Sequence, residues 1–284
     1  MSRLLVSAAE LAAHVADPAW RVFDCRHDLK QLEYGAQAYA KGHIPGARFL
    51  HLDRDLSGKV TGRNGRHPLP DPALFAEQMG ACGVAADTQV VAYDNEGGIF
   101  AARLWWMLRW LGHPRVAVLD GGLAAWKRAQ LPLETVAAPV MAVRFATAPA
   151  SQQLETVDSD YVREHLESAD MLLLDARSPE RFRGENETLD PVGGHIPGAI
   201  NRFYQDNLDE NGCFFKPVDE LRKEFEALLG DREAASVVQQ CGSGVTACHN
   251  LLAMELAGLS GSRLYAGSWS EWCGDPARPV ARGA

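Results

Sequence analysis

Gly42-His43-Ile44-Pro45-Gly46-Ala47 reads GHIPGA, and the same six letters return at Gly194-His195-Ile196-Pro197-Gly198-Ala199, 152 residues later. Other segments recur in the same order, which marks an internal duplication. Val22-Phe23-Asp24-Cys25-Arg26 matches Leu173-Leu174-Asp175-Ala176-Arg177. Val90-Val91, with the helical stretch Phe100 to Leu111, matches Val237-Val238 with the stretch ending at Ala257. Gly121-Gly122-Leu123-Ala124-Ala125-Trp126 matches Gly267-Ser268-Trp269-Ser270-Glu271-Trp272. Within each half, short apolar runs alternate with helical patterns such as Ala73 to Cys82 and Leu221 to Leu229. That alternation specifies an α/β domain, a mainly parallel sheet flanked by helices. The reading is two tandem domains over 1–140 and 158–284, joined by a linker at 141–157 within the stretch from Pro132 to Thr156, where Pro139 and Pro149 interrupt any helix.

At 284 residues and 46% hydrophobic content the chain can bury two cores. A formal charge of −9 argues against a general nucleic-acid or anionic-membrane surface, so an anionic substrate needs a local cluster of arginines. Six scattered cysteines give neither a disulfide framework nor zinc-ligand spacing, and no metal or cofactor is expected. Residues 1–15 contain Glu10 and His14 and no long apolar core, unlike a signal peptide, and no stretch approaches a membrane span. These features lead to the expectation of a cytoplasmic protein.

Chemistry concentrates in Cys241-Gly242-Ser243-Gly244-Val245-Thr246, between the strand-like Val237-Val238 and the helical pattern from Thr246. Backbone N–H groups of such a turn, and the positive end of the following helix, favour a thiolate at Cys241. Most cysteines are small buried apolar residues, but two glycines beside this one clear access to a nucleophile. Gly242, Gly244, Val245 and Thr246 are accordingly expected to line the donor site. Cys248, inside the helix, reads as packing. Aligning the repeats sets Asp94 opposite Cys241, which leaves the first domain without a sulfur nucleophile.

Two tandem domains, GHIPGA in each, CGSGVTA only in the second and a terminal GSWSEW resemble the two-domain rhodanese-like sulfurtransferases over nearly the whole chain. CGSGVTA is closest to the loop of the 3-mercaptopyruvate sulfurtransferases, whereas thiosulfate sulfurtransferases typically carry two basic residues where this chain has Gly242 and Ser243. The resemblance implies ping-pong transfer, in which a thiolate takes the outer sulfur of a small donor as a persulfide and yields it to a thiol or cyanide, thioredoxin being one candidate acceptor. It assigns the donor's carboxylate to Arg181 in Arg181-Phe182-Arg183-Gly184; the mercaptopyruvate enzymes usually carry a second arginine before the second GHIPGA, where Glu185 to Gly193 here has none, so either Arg183 or Arg202 substitutes for it or the donor preference is broader. It also implies a proton relay between Ser243 and the first GHIPGA histidine, His43, with Glu33 as a candidate acid. His43 equally reads as a turn histidine, since His195 holds the same place in the second repeat.

Three other readings compete. Thiosulfate could be the donor at the same cysteine. A cysteine phosphatase needs an arginine six residues after the nucleophile, where Ala247 stands. A non-catalytic persulfide carrier would use Cys241 without Arg181 or Ser243. The tryptophans of both halves read as packing, and Asp24 and Asp175 as ion-pair partners of Arg26 and Arg177.

Overall fold

Branched and aromatic side chains bounded by turn residues become strands covered on both faces, where continuous apolar runs leave no polar side for water. In the first repeat β1 (Leu5–Val6), β2 (Trp20–Asp24), β3 (Arg48–Phe49), β4 (Gln89–Tyr93) and β5 (Val116–Leu119) form a parallel sheet ordered β1-β5-β4-β2-β3. In the second, β6 (Thr156–Val157), β7 (Leu172–Asp175), β8 (Ile200–Asn201), β9 (Val237–Gln240) and β10 (Arg263–Tyr265) form a parallel sheet ordered β6-β10-β9-β7-β8. The two orders are identical once each strand is replaced by its repeat partner. This computed structural model describes residues 3–148 and 153–283; residues 149–152 of the expected linker, with Pro149, lie outside the described residues.

Helices α1 (Ala8–His14), α2 (Tyr34–Lys41), α3 (Pro72–Ala81), α4 (Ile99–Trp110) and α5 (Gly122–Arg128) cover the first sheet. The second carries α6 (Ser159–Glu164), α7 (Pro179–Arg183), α8 (Val218–Leu229), α9 (Thr246–Leu256) and α10 (Ser268–Trp272). Helix α3 starts where Asp71 caps the N–H groups of Ala73 and Leu74 and Pro72 takes the first turn, where its missing N–H costs nothing. Leu221, Phe225 and Leu229 recur every fourth residue of α8, so one stripe is buried while its charged face meets water. Helices α4 and α9 are buried along most of their lengths, and their sequences are mostly apolar, with Arg103, His249 and Asn250 as buried polar exceptions. Among the described residues no helix is long and apolar enough to cross a membrane.

The repeated motifs do repeated work. Ile44 and Ile196, the isoleucines of the two GHIPGA segments, are fully buried in the two cores. Trp126 and Trp272 are also fully buried, and each donates its indole N–H to a proline carbonyl, Pro132 and Pro279, at 2.8 Å. Arg26 and Arg177 fork onto Asp24 and Asp175 and reach the carbonyls of Gly42 and Gly194 at 2.9 and 2.8 Å. Strand register pairs Asp24 with Tyr93 and Asp175 with Gln240, so the residues that follow, Asp94 and Cys241, are structural equivalents.

Contacts divide the chain less simply than the expected boundaries. One unit comprises Met1–Gly58, Pro70–Leu154 and Glu210–Phe215; the other comprises Lys59–Leu69, Glu155–Asp209 and Lys216–Ala284. Each repeat thus contributes one connecting segment to the other repeat's unit. Residues 141–148 stay with the first unit, where Val143 N–H donates to Gly80 O at 2.9 Å and Ala148 N–H to Leu111 O at 3.1 Å.

Candidate active site

Strand β9 ends at Gln240, and the chain turns through Cys241–Val245 into α9, which puts Cys241 at the carboxyl end of a central strand. The loop is pinned to the β10–α10 corner. Cys241 N–H donates to Ser268 Oγ at 3.1 Å, and that hydroxyl donates onward to Tyr265 O at 2.9 Å. The N–H groups of Trp269 and Ser270 close the clamp on the carbonyls of Cys241 and Gly242, at 3.0 and 2.9 Å. Ser268 has a φ of 53°, a left-handed conformation that costs a side-chain-bearing residue energy and that these bonds sustain. Gly244 has a φ of 75°, and a Cβ there would fall 2.4 Å from Ala266 O, so no other residue fits.

Ser243 lies two residues after Cys241, 6% exposed, with Oγ 2.7 Å from Nδ1 of buried His67. His67 comes from Lys59–Leu69, the segment that the first repeat contributes to the second unit. The preceding residue, Arg66, donates its backbone N–H to Ser270 Oγ at 3.0 Å. A Cβ on Gly242 would meet Arg66 Nη2 at 2.9 Å and both terminal nitrogens of Arg181 at 3.3 Å, so two guanidiniums lie against the peptide that follows the nucleophile. Arg181 projects from α7 and binds Glu187 through Nε at 3.1 Å and Nη2 at 2.9 Å. Arg66 and Arg181 both bind Asp190.

Burial opposes the charge of Glu187, but the N–H groups of Leu189 and Asp190 and the Arg181 guanidinium together hold its carboxyl below the usual range. Burial likewise opposes the charge of Arg177, yet Asp175, Glu187 and the Cys241 sulfur outweigh it and push its pKa up. Arg177 therefore remains a fixed cation in the field of the sulfur. Cys273 is pushed up to about 11 by burial and by Asp190, which keeps it a thiol, and Cys248 donates its S–H to Gly244 O at 3.3 Å.

The hydrogen-bond partner of the Ser243 hydroxyl is His67, where the resemblance had implied His43. His43 sits in the first unit, stacked on Tyr39 with centroids 3.8 Å apart, its Nδ1 2.8 Å from Tyr39 O and its Nε2 3.5 Å from Glu134. His195 does the same job in the second unit, stacked on Phe182 with Nδ1 2.9 Å from Phe182 O. Both rings brace a turn. Glu33, the candidate acid, pairs with Arg54 on the surface. Arg183 forms 2.8 Å bonds to Glu185, and Arg202 binds Glu224 and Asn207, so Arg66 takes the place beside Arg181 that either had been expected to fill. No periodic or repeated signal marks Arg66-His67 in the sequence. Val245 and Thr246 form the entry to α9, as expected from the pattern.

In the first unit, the loop equivalent to the cysteine loop wraps a carboxylate. Asp94 is fully buried and accepts the N–H groups of Glu96, Gly98, Phe100 and Ala101 at 2.8–2.9 Å. Burial raises its pKa, and the four N–H groups oppose that rise. The anion cradle persists there, filled by the chain itself. The first unit also brings ligand atoms of His27, His51 and Asp53 within 4.8 Å of one another, although His51 Nδ1 already accepts the Asp53 N–H at 3.1 Å.

A family model described as a rhodanese-like domain matches residues 7–129 and again 158–275. A Pseudomonas aeruginosa protein named "Probable 3-mercaptopyruvate sulfurtransferase" is 50% identical over 284 residues, 99% of both chains. The bovine thiosulfate sulfurtransferase is 36% identical over 282 residues, covering 95% of this chain and 92% of its own. The crystal structure of SseA from Escherichia coli, presented with the mechanism of 3-mercaptopyruvate sulfotransferases, superposes with a TM-score of 0.79 at 34% identity, over 95% of this chain and all of that one.

Proposed function

Because the chain belongs to the rhodanese-like family, with one such domain in each half, we propose that it transfers sulfur from 3-mercaptopyruvate through a persulfide on Cys241 to a thiol or cyanide, releasing pyruvate. The thiolate attacks the donor's sulfur, an S–S bond forms, and the C–S bond breaks with its electron pair passing to the enolate carbon of pyruvate. That carbon needs a proton. Ser243 can give its hydroxyl hydrogen and be resupplied by His67 in the tautomer that carries hydrogen on Nδ1. The hydrogen originally on the donor's sulfur leaves the persulfide, so the proton count closes. Thiols, thioredoxin among them, then take the outer sulfur and restore Cys241. A reducing, cytoplasmic setting suits a mechanism that needs Cys241 as a free thiol.

The observation that carries this reading is the 2.7 Å contact of Ser243 with His67, two residues from the nucleophile. Sulfite leaves thiosulfate without a proton, so a relay at this spot serves the enolate. Thiosulfate is the second reading, favoured by the bovine relative's name and by the guanidiniums of Arg66 and Arg181 beside Gly242. Two carboxylates, Glu187 and Asp190, match those two cations, which leaves little net charge to favour a dianion. Steady-state pyruvate release from mercaptopyruvate, set against sulfite release from thiosulfate, tests the choice. Cys241→Ser should abolish both. Faster use of thiosulfate would reverse the assignment, and a single round of loading without turnover would leave only a carrier.

A further inference from the structure

The guanidiniums that would receive a donor's carboxylate already hold one. Arg66 donates to Asp190 Oδ1, and Arg181 Nη2 lies 3.2 Å from Asp190 Oδ2, so the carboxylate bridges the two arginines that flank Gly242. Its side chain is 3% exposed. Among the described residues these arginines are the bonding partners of the Asp190 carboxylate, and the residue lies in irregular chain between α7 and β8. Glu187 differs. Its oxygens also accept the N–H groups of Leu189 and Asp190 at 2.9 and 3.1 Å and lie 3.6 Å from Arg177, which fixes it in place.

A carboxylate shared by two guanidiniums next to a sulfur nucleophile has the charge and fork geometry that a 2-oxo-acid donor would present. We propose that Asp190 is a specificity-determining residue, an internal stand-in for the donor's carboxylate, which releases Arg66 and Arg181 when a 2-oxo-acid monoanion enters while Glu187 holds Arg181 from behind. Exchange of one monoanion for another keeps the site neutral. A dianion brings one charge more than it displaces, and a neutral ligand leaves both arginines facing an unchanged partner. The proposal relies on the sulfurtransferase reading only for the identity of the donor.

Pyruvate, the donor skeleton without sulfur, tests the exchange by calorimetric titration of the full chain against Asp190→Asn. Removing the internal competitor should tighten pyruvate binding about tenfold, the equivalent of one charge-assisted hydrogen bond. Methyl pyruvate should bind both proteins alike, and Asp190→Glu should restore the weaker pyruvate binding. Unchanged or weaker pyruvate affinity in Asp190→Asn would overturn the proposal, because a purely structural clamp loses affinity when cut. Asp190→Ser carries the same expectation should the asparagine variant fail to fold. Loss of the cooperative thermal transition in both would also overturn it, since a displaceable carboxylate is not one the fold requires. Neither readout involves sulfur transfer, so failure of the donor assignment would appear in the turnover assay and leave this result standing.

Discussion

Ser243 and His67 separate the two donors at the level of single atoms. If the hydroxyl feeds a proton to the leaving enolate, Ser243→Ala and His67→Asn should each lower kcat with mercaptopyruvate by about a hundredfold, the usual worth of a positioned general acid. Thiosulfate turnover should stay within about threefold in the same variants, because sulfite leaves without a proton. Steady-state kinetics with both donors decide it; equal losses would mean that the pair orders the loop and moves no proton. Ser243 is legible in the sequence, since it follows the nucleophile within one turn. His67 is not, because it lies 176 residues away in a segment outside the duplicated pattern. Sequence spacing reports neighbours on one element and says nothing of a side chain delivered by a connecting segment. The repeat did hold the warning about His43: two copies of GHIPGA put the same ring in both halves, and a part present in the domain without a nucleophile is a part of the fold.

Strand, loop and helix around Cys241 are legible as elements, because β-branched residues, paired glycines and an apolar 3.6-residue pattern succeed one another there. The brace that holds the loop is less so. GSWSEW reads as a family signature, yet its first serine is the acceptor for Cys241 N–H and sits at a φ of 53°. Two effects then compete on substitution. Ser268→Ala removes both hydroxyl bonds and keeps the left-handed strain, whereas Ser268→Gly removes the bonds and relieves the strain, worth about 1 kcal/mol. Thermal unfolding should therefore rank wild type above Ser268→Gly and Ser268→Gly above Ser268→Ala, with about 1–3 kcal/mol lost in the alanine variant. A reversed order of the two variants would mean that the backbone at Ser268 stores no strain, and an alanine variant as stable as wild type would mean that the hydroxyl does not hold the turn. Edge strands such as β1, β3, β6 and β8 escape a sequence reading for a plain reason: two residues are too few to display a period.

At the scale of the whole chain, duplication is what the sequence displays best, and the matching strand orders of the two sheets are its structural form. The exchange of connecting segments between units is what it conceals, since Lys59–Leu69 and Glu210–Phe215 carry no mark of the unit they join. Duplication also sets the number of reactive sulfurs. Equivalent registers place Cys241 in one cradle and Asp94 in the other, and Asp94 gives its carboxylate to four N–H groups at 2.8–2.9 Å. Excess mercaptopyruvate should therefore add one sulfur per chain, read by mass spectrometry as about 32 Da on the Cys241 peptide alone. Asp94→Ala should preserve that stoichiometry while costing about 3–5 kcal/mol, because the buried donors lose their acceptor. Denaturant unfolding would measure the cost and the same mass assay the loading. A second sulfur in the wild-type chain, or an alanine variant as stable as its parent, would break the equivalence: the first loop would then be either reactive in its own right or indifferent to the anion it encloses.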